Sequence, residues 1–323
     1  MAIDFVITWV DGSDEKWISE YNKYAKNPIA KHRYRDWDLL KYWFRAVERY
    51  ASWVNKIYFV TWGHIPNWLN TNNDKLVIVK HTDFINEKYL PTFNSCVIEA
   101  NLHKIKGLSE KFVYFNDDMF LNDYVNENDF FVNDLPCDTA ILSHLWARGL
   151  NSTFINYNCS SIVNKYFKIK ELKKLKNTIV KKNPKNVLKK ICFCNKKNML
   201  CIVPQHVPTS YLKSTFNCVW EKESQLLEEV CQHKFRTNED VSQWLFQFWQ
   251  IASKKFVHRD SNFSKYYQIE TESLDNVIFE IKNKVYKLIC LNDGEKTTNY
   301  EKNKAKLIEM FENMYNQKSE FEK

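Results

Sequence analysis

Asn116-Asp117-Asp118 places two adjacent carboxylates directly after the apolar run Lys111 to Phe115 (KFVYF). Two such charges beside a buried strand repel each other and lose hydration, so they call for a cation or for hydrogen-bond donors. Magnesium or manganese, held by one or two carboxylates and a diphosphate, is one solution; a strand-terminal pair that caps the next turn is the other. Arg35, Arg45 and Arg49 sit on or just before an amphipathic segment, with Arg33 ahead of it. A guanidinium grips phosphate through two parallel hydrogen bonds, although a surface ion pair is the commoner duty of each of these arginines taken alone. Arg236 stands in KFRTNED, ahead of an expected helix start where backbone N–H groups would favour an anion. His206, between Gln205 and Val207-Pro208, is expected on an extended, held backbone. It suits a general base or a donor to a phosphoryl oxygen, and equally an ordinary loop histidine. Asp11-Gly12-Ser13-Asp14 reads as a nucleotide-binding strand end or as a plain turn, while His64, His81 and His103 read as structural. No Walker loop, dinucleotide fingerprint or nucleophile elbow is present.

These groups need a frame. Asp4 to Val10 (DFVITWV), Lys56 to Trp62, Lys75 to Val79 and Lys111 to Phe115 are short apolar runs suited to interior strands. Trp37, Leu40, Phe44 and Val47 recur at helical spacing between Asp36 and Tyr50, and Asn94 to Ile105 also reads as helix. The order strand, helix, strand, strand, helix, strand predicts an α/β fold: a mostly parallel sheet with flanking helices. Ligands in such sheets lie beyond the carboxyl ends of the strands, which points Asp11–Asp14 and Asn116–Asp118 at one pocket. Asp123 to Asn158 reads as irregular, and a lysine-rich stretch follows it. Beyond that, Gln205 to Leu212 and Trp220 to Cys231 are expected helices, and Asn238 is expected to cap a third ending near Ser253. A strand at Val285 to Leu291, the turn Asn292-Asp293-Gly294 and a helix from Asn303 to Tyr315 end the chain. The expected organisation is an α/β core over 1–135, a connector over 136–200, a mainly helical region over 201–281, and a strand and helix over 282–323 that complete the core.

With 323 residues, 44% of them hydrophobic, the chain can bury a substantial core. No stretch approaches the roughly 20 apolar residues of a membrane span, and Asp4 precedes the first apolar run, so neither a span nor a signal peptide is expected. The nine cysteines are odd in number; Cys192 and Cys194 have no second pair to complete a zinc site, so all read as reduced cytosolic thiols. Residues 161–190 hold eleven lysines against Glu171 alone, and so account for the whole net charge of +8. So local an excess does not describe a nucleic-acid partner. It describes a solvated connector, or else a contact with anionic lipid headgroups or an anionic polymer.

Four blocks carry a family resemblance: DFVITWVDGSD; Arg33 to Phe131, with RDWDLLKYWFRAVERY, LPTFNS and FNDDMF; QHVP with KFRTNEDVSQWLFQF; and CLNDGEKTTNYEKNKAKLIEMF. In this order they resemble the Stealth family, which includes bacterial capsular polysaccharide phosphotransferases and the animal lysosomal-enzyme GlcNAc-1-phosphotransferase. The resemblance implies a GT-A-like nucleotide-sugar transferase fold. It also implies transfer of a hexose or N-acetylhexosamine 1-phosphate from a UDP-sugar such as UDP-GlcNAc to a glycan hydroxyl, with UMP released, in capsular or cell-surface polysaccharide synthesis. Asp117, Asp118, His206 and Arg236 match the family's catalytic centre; Asp117, Asp118 and Asp293 would hold Mg2+ or Mn2+. Asp11, Gly12, Asp14, Arg35, Arg45, Asn94, Ser95 and Glu99 would line or support the donor site. The implied partners are the UDP-sugar, an oligo- or polysaccharide acceptor, and, peripherally, an anionic membrane or capsule assembly proteins, in a cytoplasmic setting at the inner membrane. Trp62 and His64 stand where the family usually has smaller polar residues, and the animal enzyme's inserted recognition modules are absent. From the residues alone two other readings stay open: a metal-dependent glycosyltransferase releasing UDP, and a glycan- or membrane-binding protein without catalysis.

Overall fold

The computed structural model describes residues 2–26, 34–144, 151–180, 200–294 and 297–323. Strand β1 (Ile3–Trp9) sends Ile3, Phe5, Ile7 and Trp9 into one apolar cluster and Val6 into another, so both of its faces are buried. That double burial is why it reads as an unbroken apolar run. Strands β2 (Ile57–Thr61), β3 (Leu76–Lys80) and β4 (Lys111–Asn116) extend the sheet in parallel, with Val6 level with both Tyr58 and Tyr114. Because β4 lies on one side of β1 and β2 on the other, the chain reverses its direction of winding at β1, and the carboxyl ends of β1 and β4 open a crevice there.

Strand β5 (Met119–Leu121) leaves the main sheet through the two-residue turn Asp117-Asp118. Short strands β6 (Phe131–Val132), β7 (Leu135–Asp138), β8 (Ile141–His144), β9 (Ile179–Val180) and β10 (Leu200–Ile202) follow, and β11 (Thr209–Leu212) returns to pair antiparallel with β4. After β12 (Val257–His258), strands β13 (Ser264–Gln268) and β14 (Leu288–Asn292) form a second sheet with β5, in the order β13-β14-β5. The main sheet runs β11-β4-β1-β2-β3. On one face, helices Leu40–Tyr50 and Tyr300–Met314 meet where Tyr42 stacks on Phe311 at 5.5 Å. On the other, Phe112 and Tyr211 of the sheet pack with Phe216 and Phe246 of helices Lys213–Lys222 and Trp244–Ala252, whose rings stack at 3.7 Å.

The main sheet, the helix Leu40–Tyr50, the closing strand Leu288–Asn292 and the closing helix Tyr300–Met314 agree with the sequence reading, and the elements between depart from it. Residues 209–212, expected as helix, are the edge strand β11, because the backbone of β4 needs a ladder partner on that side and Thr209, Ser210 and Tyr211 lie flat against it. The expected helix Trp220 to Cys231 is two helices, Lys213–Lys222 and Ser224–Gln232, broken where Glu223 leaves helical geometry at φ −128 and ψ 33. Asn238 is not the cap of the third helix, which starts at Trp244 after Gln243. Within the stretch 123–158, expected as irregular, lie β6, β7, β8 and the first half of the helix Asn151–Tyr166. The helices Glu15–Tyr24 and Leu274–Lys282 and strand β13 went unread. Lys181 to Lys190, Cys192, Cys194 and Arg33 lie outside the described residues. Among the described residues no helix is long and apolar enough to cross a membrane.

Candidate active site

At the crevice between β1 and β4 lies a cavity of about 760 Å³. Its polar floor includes Asn116, Asp117, Asp118, Ser95, Glu99, His206 and Arg236; Trp17, Tyr21, Tyr34, Phe93 and Phe235 form an aromatic lobe beside it. The turn Asp117-Asp118 is pinned from below, since the Leu291 N–H of β14 donates to the Asp118 carbonyl at 2.8 Å. The aspartate pair therefore sits at the seam of the two sheets, fixed by backbone from both.

The two carboxylates live in different environments. Asp117 faces the open cavity and is raised to about 8, first by loss of hydration among the cavity walls and then by the charges of Asp118 and Asp36. Burial pushes Asp118 the same way, but His206, the Cys290 thiol and the local backbone outweigh it and hold that carboxyl below its usual range. The Asp118 Oδ2 atom lies 3.8 Å from His206 Nε2 and accepts from Cys290 Sγ at 3.2 Å, whereas Oδ1 is buried with no hydrogen-bond partner. An orphaned carboxylate oxygen next to a second, repelled carboxylate fits a hard divalent cation of the magnesium or manganese kind, which takes oxygen ligands.

His206 does not have the extended backbone expected of it: its φ is +35, in the left-handed region that non-glycine residues seldom occupy. Edge contacts with Trp244 and Tyr266 hold the ring at Asp118. Arg236 lies eight residues before the helix Trp244–Ala252, so it lacks the helix terminus expected beside it. Instead it donates to Ser95 Oγ and faces Glu99, a buried carboxylate raised by desolvation and partly offset by the arginine's charge. The loop carrying Arg236 is tied to the helix Ser95–Asn101 by the fully buried Asp240. That carboxylate accepts from His233 Nδ1 at 2.6 Å, Asn94 Nδ2 at 2.9 Å and the Thr237 N–H at 2.8 Å.

Several residues expected at the donor site shape it from behind. Asn94 caps the helix Ser95–Asn101 through the Cys96 N–H. Asp14 caps the helix Glu15–Tyr24, which brings Trp17, Tyr21 and Tyr24 to the cavity wall. The Asp11 side chain folds onto Ser13, and its N–H donates to His64 Nε2 at 2.8 Å. Gly12 is required by close approach, since a Cβ there would collide with the Tyr34 carbonyl. Two expectations need correction. Arg45 is remote from the cavity: its guanidinium is buried against both Glu322 oxygens, at 2.7 and 2.8 Å, and the Tyr315 carbonyl at 2.6 Å. Asp293, expected among the metal carboxylates, lines the cavity but spends its oxygens on Arg35, Trp37 and the Gly294 N–H. Arg35 is thus a clamp between the loop before helix Leu40–Tyr50 and the end of β14.

The sequence reading overlooked Cys290, the Thr8–Tyr114–Asn116 hydrogen-bond chain and the aromatic lobe. Of these, only the lobe had a legible signal: Trp17 and Tyr21, four residues apart after a capping Asp14. His81, read as structural, is buried in the cavity wall and lowered to about 4 by desolvation, which leaves it neutral.

The fold defines the class, an α/β protein with its main cavity at the carboxyl ends of its parallel strands. Stealth protein conserved region 1 matches residues 1–27 and Stealth protein conserved region 2 matches residues 33–137. A capsular polysaccharide phosphotransferase, WcwK, of Streptococcus pneumoniae is 45% identical over 99% of this chain and 98% of its own length. The receptor polysaccharide phosphotransferase WefC of Streptococcus oralis is 38% identical over 99% of both. Among solved structures, the galactosyltransferase LgtC in complex with donor and acceptor sugar analogs overlaps at a TM-score of 0.40 and 10% identity, covering 98% of each chain. The chain belongs to the Stealth family and is a phosphotransferase enzyme.

Proposed function

We propose that this enzyme moves a hexose or N-acetylhexosamine 1-phosphate from a UDP-sugar to a hydroxyl of a growing capsular or cell-surface glycan, releasing UMP. The observation that carries the reading is the one cavity in which Asp118 gathers His206 on one oxygen and leaves the other unpartnered, with Arg236 on the same floor. The polysaccharide phosphotransferase relatives support the acceptor class. In the reaction the acceptor oxygen bonds to the sugar-bearing phosphorus, the bond from that phosphorus to the bridging oxygen breaks, and UMP departs with the electron pair. His206 takes the acceptor's proton, and Asp118 holds the ring in place for it. Arg236 pairs with a phosphate oxygen while Ser95 and Glu99 fix its fork; catalysis is chiefly positioning and fixed charge. Asp117 and Asp118 would hold magnesium or manganese, which when bound supplies charge neutralisation to the diphosphate.

The reading carries a cytoplasmic location, where nucleotide sugars are made, with peripheral contact to the inner membrane or to capsule assembly proteins through Lys165 to Lys190. The test incubates the protein with magnesium, a panel of UDP-sugars and acid-treated capsular oligosaccharide, and identifies the released nucleotide. UMP release that needs acceptor and falls about 10²-fold or more in Asp118→Asn supports the reading. UDP release makes the protein a glycosyltransferase, and no release across the panel leaves a binding protein.

A further inference from the structure

Asp118, His206 and Cys290 offer one carboxylate oxygen, one imidazole nitrogen and one sulfur, all within 4.8 Å of one another. That donor set is not what magnesium selects. Thiol and imidazole are ligands of borderline and soft cations, and three protein ligands with a fourth position open is the usual arrangement around an accessible zinc ion. The two spacings around Asp118 Oδ2 are also close to what such an ion needs. Metal–ligand distances of about 2.0–2.3 Å in a tetrahedron put neighbouring ligand atoms roughly 3.3–3.8 Å apart. Here Sγ lies 3.2 Å and Nε2 3.8 Å from the same Asp118 Oδ2. Two features hold the donors in place before any ion arrives: β14 fixes Cys290 in the second sheet, and Trp244 and Tyr266 wedge the His206 ring. Asp118 and His206 line the cavity, which gives an arriving ion access from the substrate space.

We propose that Asp118, His206 and Cys290 form a binding site for Zn2+ and similar thiophilic cations, and that its occupation shuts the enzyme down. The ion takes the sulfur by replacing the thiol proton, which leaves to water as the S–metal bond forms. Inhibition follows because a dication on Asp118 Oδ2 repels the hard cation at the neighbouring Oδ1 and draws on the same carboxylate charge, while His206 Nε2 is taken from the acceptor's proton. The mode of inhibition rests on the proposed mechanism; the site itself does not.

Cobalt(II) serves as a spectroscopic probe, because a thiolate bound to it gives an intense charge-transfer absorption that oxygen and nitrogen ligands do not. Titrating the full-length protein with Co2+ is expected to produce that band at one equivalent, reversed by Zn2+, and to lose it in Cys290→Ser. His206→Ala should weaken cobalt binding at least about tenfold. Turnover is read in parallel, each variant against its own baseline. Zinc should inhibit the wild type in competition with magnesium, with the half-inhibiting concentration at least about tenfold higher in Cys290→Ser. A band that survives Cys290→Ser overturns the site, as does the absence of any band in the wild type. Zinc sensitivity unchanged in Cys290→Ser overturns the inhibitory role. If the band behaves as expected but no nucleotide is released from any UDP-sugar, the metal site stands and the donor chemistry is what fails.

Discussion

Replacing Asp240 with Ala should both loosen the protein and misplace Arg236, and the two effects are separable. The carboxylate is fully buried, and its removal takes the acceptor from the Thr237 N–H and the closest acceptor from His233 Nδ1 and the Asn94 amide, which keep only longer contacts to Thr237 Oγ1 at 3.3 Å and to the His233 and Phe235 carbonyls at 3.4 Å. An unsatisfied buried donor costs about 1–3 kcal/mol, so one donor lost outright and two weakened amount to about 4 kcal/mol. For a chain this long that lowers Tm by about 6–8 °C. Asp240→Asn should be far milder, at about 1 kcal/mol, because its oxygen still serves Asn94 and Thr237 while its amide donates to His233 in the other tautomer. Loss of the tie frees the 233–240 loop from the helix Ser95–Asn101, and a displacement of the order of 1 Å at Arg236 costs about 10²-fold in kcat/KM. The assays are thermal unfolding and steady-state nucleotide release on Asp240→Ala, Asp240→Asn, Arg236→Ala and the double variant Asp240→Ala/Arg236→Ala. If Asp240 acts through Arg236, adding Asp240→Ala to Arg236→Ala should cost less than about threefold more in kcat/KM. Full additivity of the two losses, or an Asp240→Ala protein within about 1 kcal/mol of wild type, would refute the reasoning.

Arg236→Lys should lower kcat/KM by about 10–100-fold with Tm unchanged, because one charged hydrogen bond of a planar fork is lost while a cation remains; near-normal turnover would remove Arg236 from the phosphate site. Arg45→Met should destabilise by about 3–5 kcal/mol, since it leaves the buried Glu322 without its partner, and should leave the KM for donor unchanged; a raised KM would return Arg45 to the donor site. Cation binding should be proton-linked. Asp117 is raised to about 8, so below that pH a proton must leave before the carboxylate can ligate, and magnesium affinity measured by calorimetry should climb about tenfold per pH unit and flatten above it. A profile already flat at pH 6 would exclude Asp117 as a ligand.

The sheet and its polar end were legible in the residues alone. β1, β2 and β4 are buried on both faces, so each had to be a continuous apolar run, and chain polarity put Asp11–Asp14 and Asn116–Asp118 at the same edge. Periodicity revealed the helix Leu40–Tyr50 through Leu40, Phe44 and Val47, although the fold buries every residue from Tyr42 to Val47. The family motifs pointed to His206, Arg236, Ser95 and Glu99, and the fold brings all four to one cavity. What the sequence left open depended on partners far along the chain. Thr209 to Leu212 is a strand only because β4 has an open edge there. Arg45 and Asp293 look like phosphate and metal residues until Glu322 and Arg35, each more than 250 positions away, claim them. Cys290 carries no local signal at all, and it matters only because β14 pairs with the strand that leaves Asp118. Local pattern fixes which backbone groups can pair and which faces must be buried. Which side chain meets which charge is settled only when the two sheets close on each other, because a Coulombic or hydrogen-bonded partner acts over a few ångströms and sequence separation does not enter into it.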